Sequence, residues 1–208
     1  MIRADHLTFS YAGAQPVFED VGFVIDTEWK LALVGRNGRG KTTLLQLLAG
    51  RYAYIHASVR FSYFPCEIQD GSCLTREVLQ TIAPFAQEWE MLRELSWLAL
   101  DEEVLDRPFD TLSQGEQTKV QLAALFLDED SFQLIDEPSN HLDARSRSLV
   151  AAYLKRKRGF ILVCHDRQVL DACTDHIMAL GRDGIEICRG SYSAWLENVQ
   201  RRQNDEEV

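Results

Sequence analysis

The alternation of apolar and polar residues divides the chain into strands and helices that follow one another in turn. Residues 7–11 alternate with period two, and short unbroken apolar runs such as 31–34 are typical of strands buried on both faces. Strands are predicted at 7–11, 17–25, 31–34, 59–64, 132–135 and 160–164, with a hairpin over 177–188 that turns at Asp183 and Gly184. Helices are predicted at 41–49, 113–127, 144–154 and 167–173, and through most of 74–105, where Pro84 breaks or begins a helix. Strands alternating with helices indicate an α/β fold with a largely parallel sheet and an antiparallel flap.

A glycine-rich turn joins the apolar run 31–34 to the first predicted helix, and residues 35–42 fit the pattern GxxxxGK[ST]. Glycines allow successive backbone N–H groups to turn inward around phosphate oxygens, and the helix that follows adds its positive dipole end. Lys41 can reach the β and γ phosphates, and the hydroxyl of Thr42 can ligate Mg²⁺. The alternative is a tight glycine turn that merely connects a strand to a helix.

Two carboxylates, Asp136 and Glu137, follow the apolar run 132–135. Phosphoryl transfer needs positioning and charge stabilisation more than covalent help, so we predict that Asp136 holds Mg²⁺ through water and that Glu137 orients or activates the attacking water. Paired acids also occur simply where a strand ends in solvent, and taken alone this pair does not decide between the two. Beside a phosphate loop, the pair predicts the second half of a nucleotide site.

The charge balance narrows the range of partners. The 208 residues include 22 Lys and Arg against 32 Asp and Glu, a net charge of −10, which argues against nonspecific nucleic-acid binding by the whole surface. The basic run 155–158 is either a local contact for RNA phosphates or a solvated loop between a helix and a strand.

Cysteine usage and hydropathy predict the compartment. Five scattered cysteines show no CxxC spacing, which is typical of free thiols in a reducing cytosol. No apolar run approaches the roughly 20 residues that cross a bilayer. We therefore expect a soluble, cytoplasmic protein.

Residues 112–116, with the sequence Leu-Ser-Gln-Gly-Glu, lie between the phosphate loop and the acid pair and resemble the LSGGQ-type signature of ATP-binding-cassette (ABC) ATPases. Ser113 and Glu116 also fit a capping box, and the two interpretations coexist because a capped helix start presents N–H groups to an anion. Tyr11 resembles the aromatic residue that stacks on adenine, although it is also an ordinary strand aromatic. Asp143 resembles the acid of the family's D-loop, and His165 resembles its switch histidine. The resemblance covers residues 2–195.

The resemblance implies an ATPase that uses ATP and Mg²⁺, with Glu137, His165 and Lys41 as catalytic residues and with Thr42 and Asp136 at the metal. It also implies a set of residues in contact with nucleotide: Tyr11, Gly35, Arg36, Asn37, Gly38, Arg39, Gly40, Lys41, Thr42, Thr43, Ser113 and Gly115. In this family two cassettes meet head to tail around ATP, so Ser113 and Gly115 would complete the site of the partner cassette. The isolated chain is then expected to be slow or inactive as a monomer.

The fold implied by the resemblance is that of a P-loop NTPase, specifically an ABC-type nucleotide-binding domain. Such a domain has a mostly parallel core sheet, an antiparallel β subdomain and a helical subdomain. On this chain the ATP-binding domain is expected to span residues 1–195, with the helical subdomain at about 74–127 inside it. Residues 196–208 are expected to start a linker or to form a C-terminal tail.

Two further segments point to a subfamily. Residues 136–143 and 165–167 resemble the EPxNHLD and SHDR patterns of the ABC-F proteins, which lack membrane domains and act on the ribosome. The resemblance implies an N-terminal cassette or a stand-alone half, with a second cassette and the ribosome or its RNA as partners. No long insertion separates the phosphate loop from the signature, which favours the antibiotic-resistance, ribosome-protection branch.

Two other functions stay open on the sequence. One is the ATPase subunit of an ABC membrane transporter, whose partner would be the membrane subunit. The other is a regulatory module that binds ATP without turnover, suggested by Cys66, which stands where the family usually has a glutamine close to Mg²⁺ and the attacking water. A thiol is a poor ligand for Mg²⁺.

Overall fold

The computed structural model of the chain describes residues 1–38, 40–50, 55–181 and 184–206. Its central feature is a six-stranded sheet in the order β5-β6-β7-β3-β8-β9. Neighbours from β5 to β8 run parallel, and β9 pairs antiparallel with β8 at the edge. The strands of this sheet are β3 (Lys30–Val34), β5 (Arg60–Phe64), β6 (Ser131–Asp136), β7 (Phe160–Val163), β8 (His176–Leu180) and β9 (Ile185–Arg189).

A smaller antiparallel sheet has the order β2-β1-β4. It comprises β1 (Ile2–Ser10), β2 (Pro16–Ile25) and β4 (Ile55–Ala57). The first two strands were predicted, whereas the three-residue β4 was not, because a segment that short carries no periodicity to detect. The predicted hairpin is present as β8 and β9, and of its two predicted turn residues Asp183 lies outside the described residues.

Helices connect the parallel strands. They are α1 (Lys41–Ala49), α2 (Thr75–Ile82), α3 (Glu88–Trp97), α4 (Gln114–Leu127), α5 (Ala144–Lys155), α6 (Arg167–Cys173) and α7 (Tyr192–Glu206). Pro84 separates α2 from α3 as predicted, and two short 3₁₀ segments, Glu102–Asp106 and Phe109–Thr111, lead into α4. Within the described part of the chain, no helix combines the length and the apolar character needed to span a bilayer.

The large sheet is buried on both faces, because successive side chains of its strands enter different core layers. Leu31 and Leu33 pack with α1 and the small sheet, whereas Ala32 and Val34 face a layer that includes α4, α5 and α6. The apolar runs of the sequence therefore form a central sheet whose polar, chemically active residues come after the carboxyl ends of its strands.

Candidate functional site

The phosphate loop (residues 35–42) connects β3 to α1. Strand β3 lies between β7 and β8 and runs parallel to both. The loop that follows it therefore lies at the carboxyl ends of the central strands. Gly38 and Gly40 have left-handed φ values of 78° and 93°. A Cβ at Gly40 would come within 2.5 Å of Val17 Cγ1, so both its conformation and its close approach to β2 require glycine. Of the predicted loop residues, Arg39 lies outside the described residues.

The ammonium group of Lys41 is held inside this loop. Its Nζ donates to the backbone oxygen of Gly35 at 2.9 Å, and lies 3.4 Å from Asn37 Oδ1 and 3.5 Å from the oxygen of Arg36. No side chain among the described residues caps the start of α1, so its first N–H groups are not satisfied by a side chain. A cation and a helix N-terminus at one loop form an anion site.

Thr42 and Asp136 meet although they are far apart in sequence. The Thr42 hydroxyl donates to Asp136 Oδ2 at 2.8 Å, and the hydroxyl of Tyr63 donates to the same oxygen at 3.0 Å. Burial and the Asp136 carboxylate raise the pKa of Tyr63, so this phenol stays protonated as a donor. A hydroxyl and a carboxylate oxygen side by side are a donor set that fits Mg²⁺. The described residues hold no cluster of three or more His, Cys, Asp or Glu side chains able to bind a metal, so an Mg²⁺ ion here would take its remaining ligands from phosphate and water.

Glu137 follows directly in a left-handed backbone conformation with φ of 52°. Such a φ is rare outside glycine, and non-glycine residues in this region concentrate at functional sites. The Glu137 N–H donates to the oxygen of Val163 at 2.8 Å, which fixes the turn against β7. One carboxylate oxygen, Oε1, lies 3.0 Å from His165 Nε2.

The other oxygen of this carboxylate, Oε2, is buried and has no hydrogen-bond partner among the described residues. Burial raises the pKa of Glu137, against the opposing effect of His165. The side chain lines a cavity of about 320 Å³ together with Asp136 and the start of α4. The Glu137 side chain thus borders a polar cavity large enough to hold water, and its Oε2 is a buried acceptor left without a partner.

The predicted adenine contact, Tyr11, lies just after β1. Its hydroxyl shares a hydrogen bond of 3.0 Å with Thr43 Oγ1, which ties it to the first turn of α1. Its ring packs edge-on against Phe9, with ring centroids 5.1 Å apart, and is 49% exposed. An exposed aromatic face next to a phosphate loop is available for stacking on a base.

The signature residues Ser113 and Gly115 occupy the start of α4. The predicted capping box is present, since Ser113 Oγ accepts from Glu116 N–H at 3.2 Å and Ser113 N–H donates to Glu116 Oε2 at 2.8 Å. A Cβ at Gly115 would lie 3.7 Å from the backbone oxygen of His141. None of the hydrogen bonds that the described residues make joins Ser113 or Gly115 to the phosphate loop.

The structure thus brings most of the predicted residues to one edge, namely the phosphate loop, Asp136, Glu137 and His165, with Tyr11 and Thr43 beside them. Asp143 instead caps α5, accepting from Ser146 N–H at 2.7 Å, and this bond lowers its pKa. Tyr63 was not anticipated from the sequence, because the parallel pairing of β5 with β6 that brings it to Asp136 is not visible there.

Comparison with known proteins agrees with this arrangement. A family model described as ABC transporter matches residues 18–140. Curated relatives include ATP-binding cassette sub-family F member 3 of Homo sapiens, 28% identical over 98% of this chain and 30% of that protein. Another is the ribosome protection protein VmlR of Bacillus subtilis (strain 168), 31% identical over 84% of this chain and 33% of that protein. The chain spans about a third of the length of these relatives.

Solved structures share the fold. A dimeric ATP-binding cassette in a post-hydrolysis state, bound to ADP and Pi, superposes with a TM-score of 0.76 at 16% identity, covering 91% of this chain and 98% of that one. An ATP binding subunit of an ABC transporter gives 0.74 at 24% identity, covering 98% and 93%. The predicted fold class and the predicted family resemblance are confirmed.

Proposed function

Because the chain belongs to the ABC transporter family, we propose that it is an ATP-binding and ATP-hydrolysing cassette. The observation that carries this proposal is the meeting of Lys41, Thr42, Asp136, Glu137 and His165 at the carboxyl edge of one sheet. These side chains come from three separate segments of sequence. Together they offer a cation, a metal-binding pair and a buried carboxylate, which are the parts that phosphoryl transfer to water requires.

Different residues of the chain bind the phosphates, the metal and the base. The amides of the phosphate loop and the Lys41 ammonium bind the β and γ phosphates, and Lys41 exchanges its present bond to Gly35 for phosphate oxygens. Thr42 and Asp136 would hold Mg²⁺, which when bound supplies charge neutralisation on the phosphates. Tyr63 keeps the Asp136 carboxylate aimed at this position. The exposed ring of Tyr11 stacks on the base.

Glu137 orients the attacking water. Its free Oε2 accepts a hydrogen bond from that water, while Oε1 is fixed by His165. The raised pKa of Glu137 brings the carboxylate closer to the pH range in which a general base works well. His165 is 66% exposed at its side chain, which leaves it accessible to the terminal phosphate.

A direct test of this activity uses Glu137→Gln. The variant keeps the shape of the side chain and loses the carboxylate, so we expect it to retain bound ATP and to lose most turnover. The control is Glu28→Gln, which removes a carboxylate at the opposite end of β3, where Glu28 pairs only loosely with Arg158 at 3.3 Å. Unchanged hydrolysis in Glu137→Gln would rule this residue out as the catalytic carboxylate.

We further propose that two cassettes share each ATP. Ser113 and Gly115 make no hydrogen bond to the described residues of the chain's own phosphate loop, and the capped start of α4 offers an anion site that a partner's nucleotide could occupy. A similar fold has been solved as a dimer, which is consistent with this arrangement. The partner is either a second cassette in a longer chain or a second copy. Nucleotide binding then favours the closed pair, and hydrolysis releases it.

The ribosome is the proposed place of action. Relatives of this chain are named as sub-family F members and as a ribosome protection protein, and that likeness supports a role on the ribosome, in translation or antibiotic resistance. The alternative is a cassette that docks on a membrane transporter subunit. Co-sedimentation of the full-length protein with ribosomes in the presence of ATP would support the first function, whereas co-sedimentation with membrane vesicles alone would support the second.

The proposed domain covers residues 1–195, with the helical subdomain at about 74–127 and residues 196–208 as the start of a linker or a tail. Helix α7 runs from Tyr192 to Glu206 and therefore crosses the proposed boundary. Tyr192 and Trp195 pack against the core, so the first turn of α7 is part of the folded cassette. The cytoplasmic location stays a prediction.

A further inference from the structure

A side chain of α4, the helix that begins at the signature, holds the loop that follows β5. The carboxamide oxygen of Gln121, on α4, accepts a hydrogen bond of 2.9 Å from the backbone N–H of Cys66, 55 residues earlier in the sequence. Cys66 is the residue that stands where the resemblance expects a glutamine. The carboxamide that is missing from position 66 is therefore supplied at the same loop from α4.

Gln121 also lies at the catalytic carboxylates. It lines the 320 Å³ cavity whose wall includes Asp136 and Glu137, together with Pro65 of the loop. With Oε1 occupied by the loop, the remaining polar end of the side chain is the Nε2 amide, a donor of two hydrogen bonds. The cavity is thus lined by Gln121, by the loop that its carboxamide holds and by the residue Glu137.

The thiol of Cys66 does not fill this role itself. Burial raises the pKa of Cys66 to about 12, so the side chain is a neutral thiol at physiological pH, and a neutral thiol is a poor Mg²⁺ ligand. Another glutamine on the same helix, Gln117, has its amide committed to the backbone oxygens of Phe109 and Leu112 at 3.2 and 3.1 Å. Of the two, Gln121 is the one that reaches the loop.

We propose that Gln121 is a positioning residue of the nucleotide site, which holds the loop after β5 against α4 and so fixes the wall of the cavity in which Glu137 orients water. The kinetic consequence of this inference rests on the proposed ATPase function. The anchoring of the loop by Gln121 does not depend on that function. Gln121→Met keeps the length of the side chain and removes the acceptor. Gln121→Glu keeps an acceptor oxygen for the Cys66 N–H.

The reactivity of the Cys66 thiol reports on the hydrogen bond between Gln121 and the Cys66 N–H. Alkylation by iodoacetamide at pH 8 requires the thiolate, so Cys66 reacts slowly while the loop is held and its thiol is half-buried with a raised pKa. In Gln121→Met we expect the alkylation rate of Cys66, read for each cysteine by mass spectrometry, to rise about threefold to tenfold, the range given by loss of one hydrogen bond. In Gln121→Glu it should stay close to that of the unmodified chain. The buried Cys164 and Cys173 serve as internal controls.

The kinetic readout separates positioning from a purely structural role. In ATP hydrolysis measured at protein concentrations where cassettes pair, Gln121→Met should lower kcat about threefold to tenfold and leave KM for ATP unchanged. Within the described part of the chain Gln121 makes no hydrogen bond to the phosphate loop, which is why KM should not change. An unchanged Cys66 rate, a rise shared by Cys164 and Cys173, or an unchanged kcat would each overturn the assignment. The alkylation arm needs no nucleotide, so it tests the anchor even if the chain fails to hydrolyse ATP.

Discussion

Among single residues, Lys41 gives the most direct prediction, because its present hydrogen-bond partners lie where nucleotide phosphates are proposed to bind. Its ammonium is held by the loop oxygens that surround the predicted phosphate position, and nucleotide phosphates would replace those oxygens. Lys41→Met removes a charged donor from this position, and such bonds contribute about 1.5–3 kcal/mol. We expect ATP affinity to fall roughly tenfold to 150-fold, measured by equilibrium binding of a fluorescent ATP analogue. Lys155→Met removes an exposed lysine at the end of α5 and should leave the affinity unchanged.

The ionisation of Glu137 predicts a pH dependence. Because burial raises the pKa of this carboxyl, the ionised form that can orient water is reached only at a higher pH than for an ordinary glutamate. Single-turnover hydrolysis should therefore increase with pH through a pKa above the ordinary glutamate value. The same raised pKa means that ionisation of Glu137 lowers folding stability as the pH rises through it. If the hydrolysis rate of Glu137→Gln still rose with pH in the same way, a group other than Glu137 would be responsible for the pH dependence.

Sequence reasoning reached the residues of the site that lie in local patterns and missed those set by long-range pairing. Lys41 and Thr42 follow from a motif in eight consecutive positions, and Asp136 from its place after an apolar run. Tyr63 and Gln121 reach the site only because β5 pairs with β6 and α4 packs beside the loop after β5. Neither contact has a signature in the residues that flank it.

At the scale of elements, the start of α4 has an observed capping role and a proposed role in contacting a partner's nucleotide, and the two can be separated. Ser113 caps the helix, and removing such a cap costs about 1 kcal/mol. Ser113→Ala should lower the free energy of unfolding in urea by about that amount. Ser113→Asp keeps a capping oxygen and should hold the stability, but its added negative charge faces a partner's phosphates, so hydrolysis by paired cassettes should fall. Full hydrolysis in Ser113→Asp would argue that this helix start does not contact nucleotide.

Helix α3 is joined to α5 by a buried charge. Glu94 is fully buried and meets Tyr153, Lys157 and Arg93. Burial lowers the pKa of Lys157 more than its partner Glu94 raises it, so the cluster lies in a poorly solvated place. Within the basic run 155–158, Lys157 is committed to this cluster and Arg156 lies over the ring of Trp97 at 4.2 Å, whereas Lys155 and Arg158 are exposed.

Breaking this cluster should be strongly destabilising. Glu94→Gln leaves Lys157 without its counter-charge in a buried setting, for which the loss is about 3–5 kcal/mol. The comparison is Glu88→Gln on the same helix, where an exposed pair with Arg76 at 3.2 Å contributes about 0–1 kcal/mol. Both are measured as free energies of unfolding in urea. Equal losses in the two variants would mean that the burial of Glu94 has no energetic consequence.

Across the whole molecule, periodicity predicted the large elements and not their assembly. The predicted helices 41–49 and 167–173 coincide with α1 and α6, because apolar spacing and glycine or capping residues mark both ends. The strand order β5-β6-β7-β3-β8-β9 was not derivable, since parallel neighbours are joined through distant connections. The polar segment after residue 196 was expected to start a linker or to form a tail, and the structure shows that it continues helix α7 to Glu206.

At the scale of the whole molecule, we propose that one chain holds complementary halves of two sites, since no hydrogen bond or ion pair of the described residues joins the phosphate loop to the start of α4. The most direct measurement is the ATP turnover per chain at saturating Mg-ATP over a wide range of protein concentration. We predict that turnover per chain is low when the protein is dilute, rises with concentration as cassettes pair, and then reaches a plateau. Brisk turnover that stays constant over the whole range would contradict the account, because a single chain would then complete the site alone.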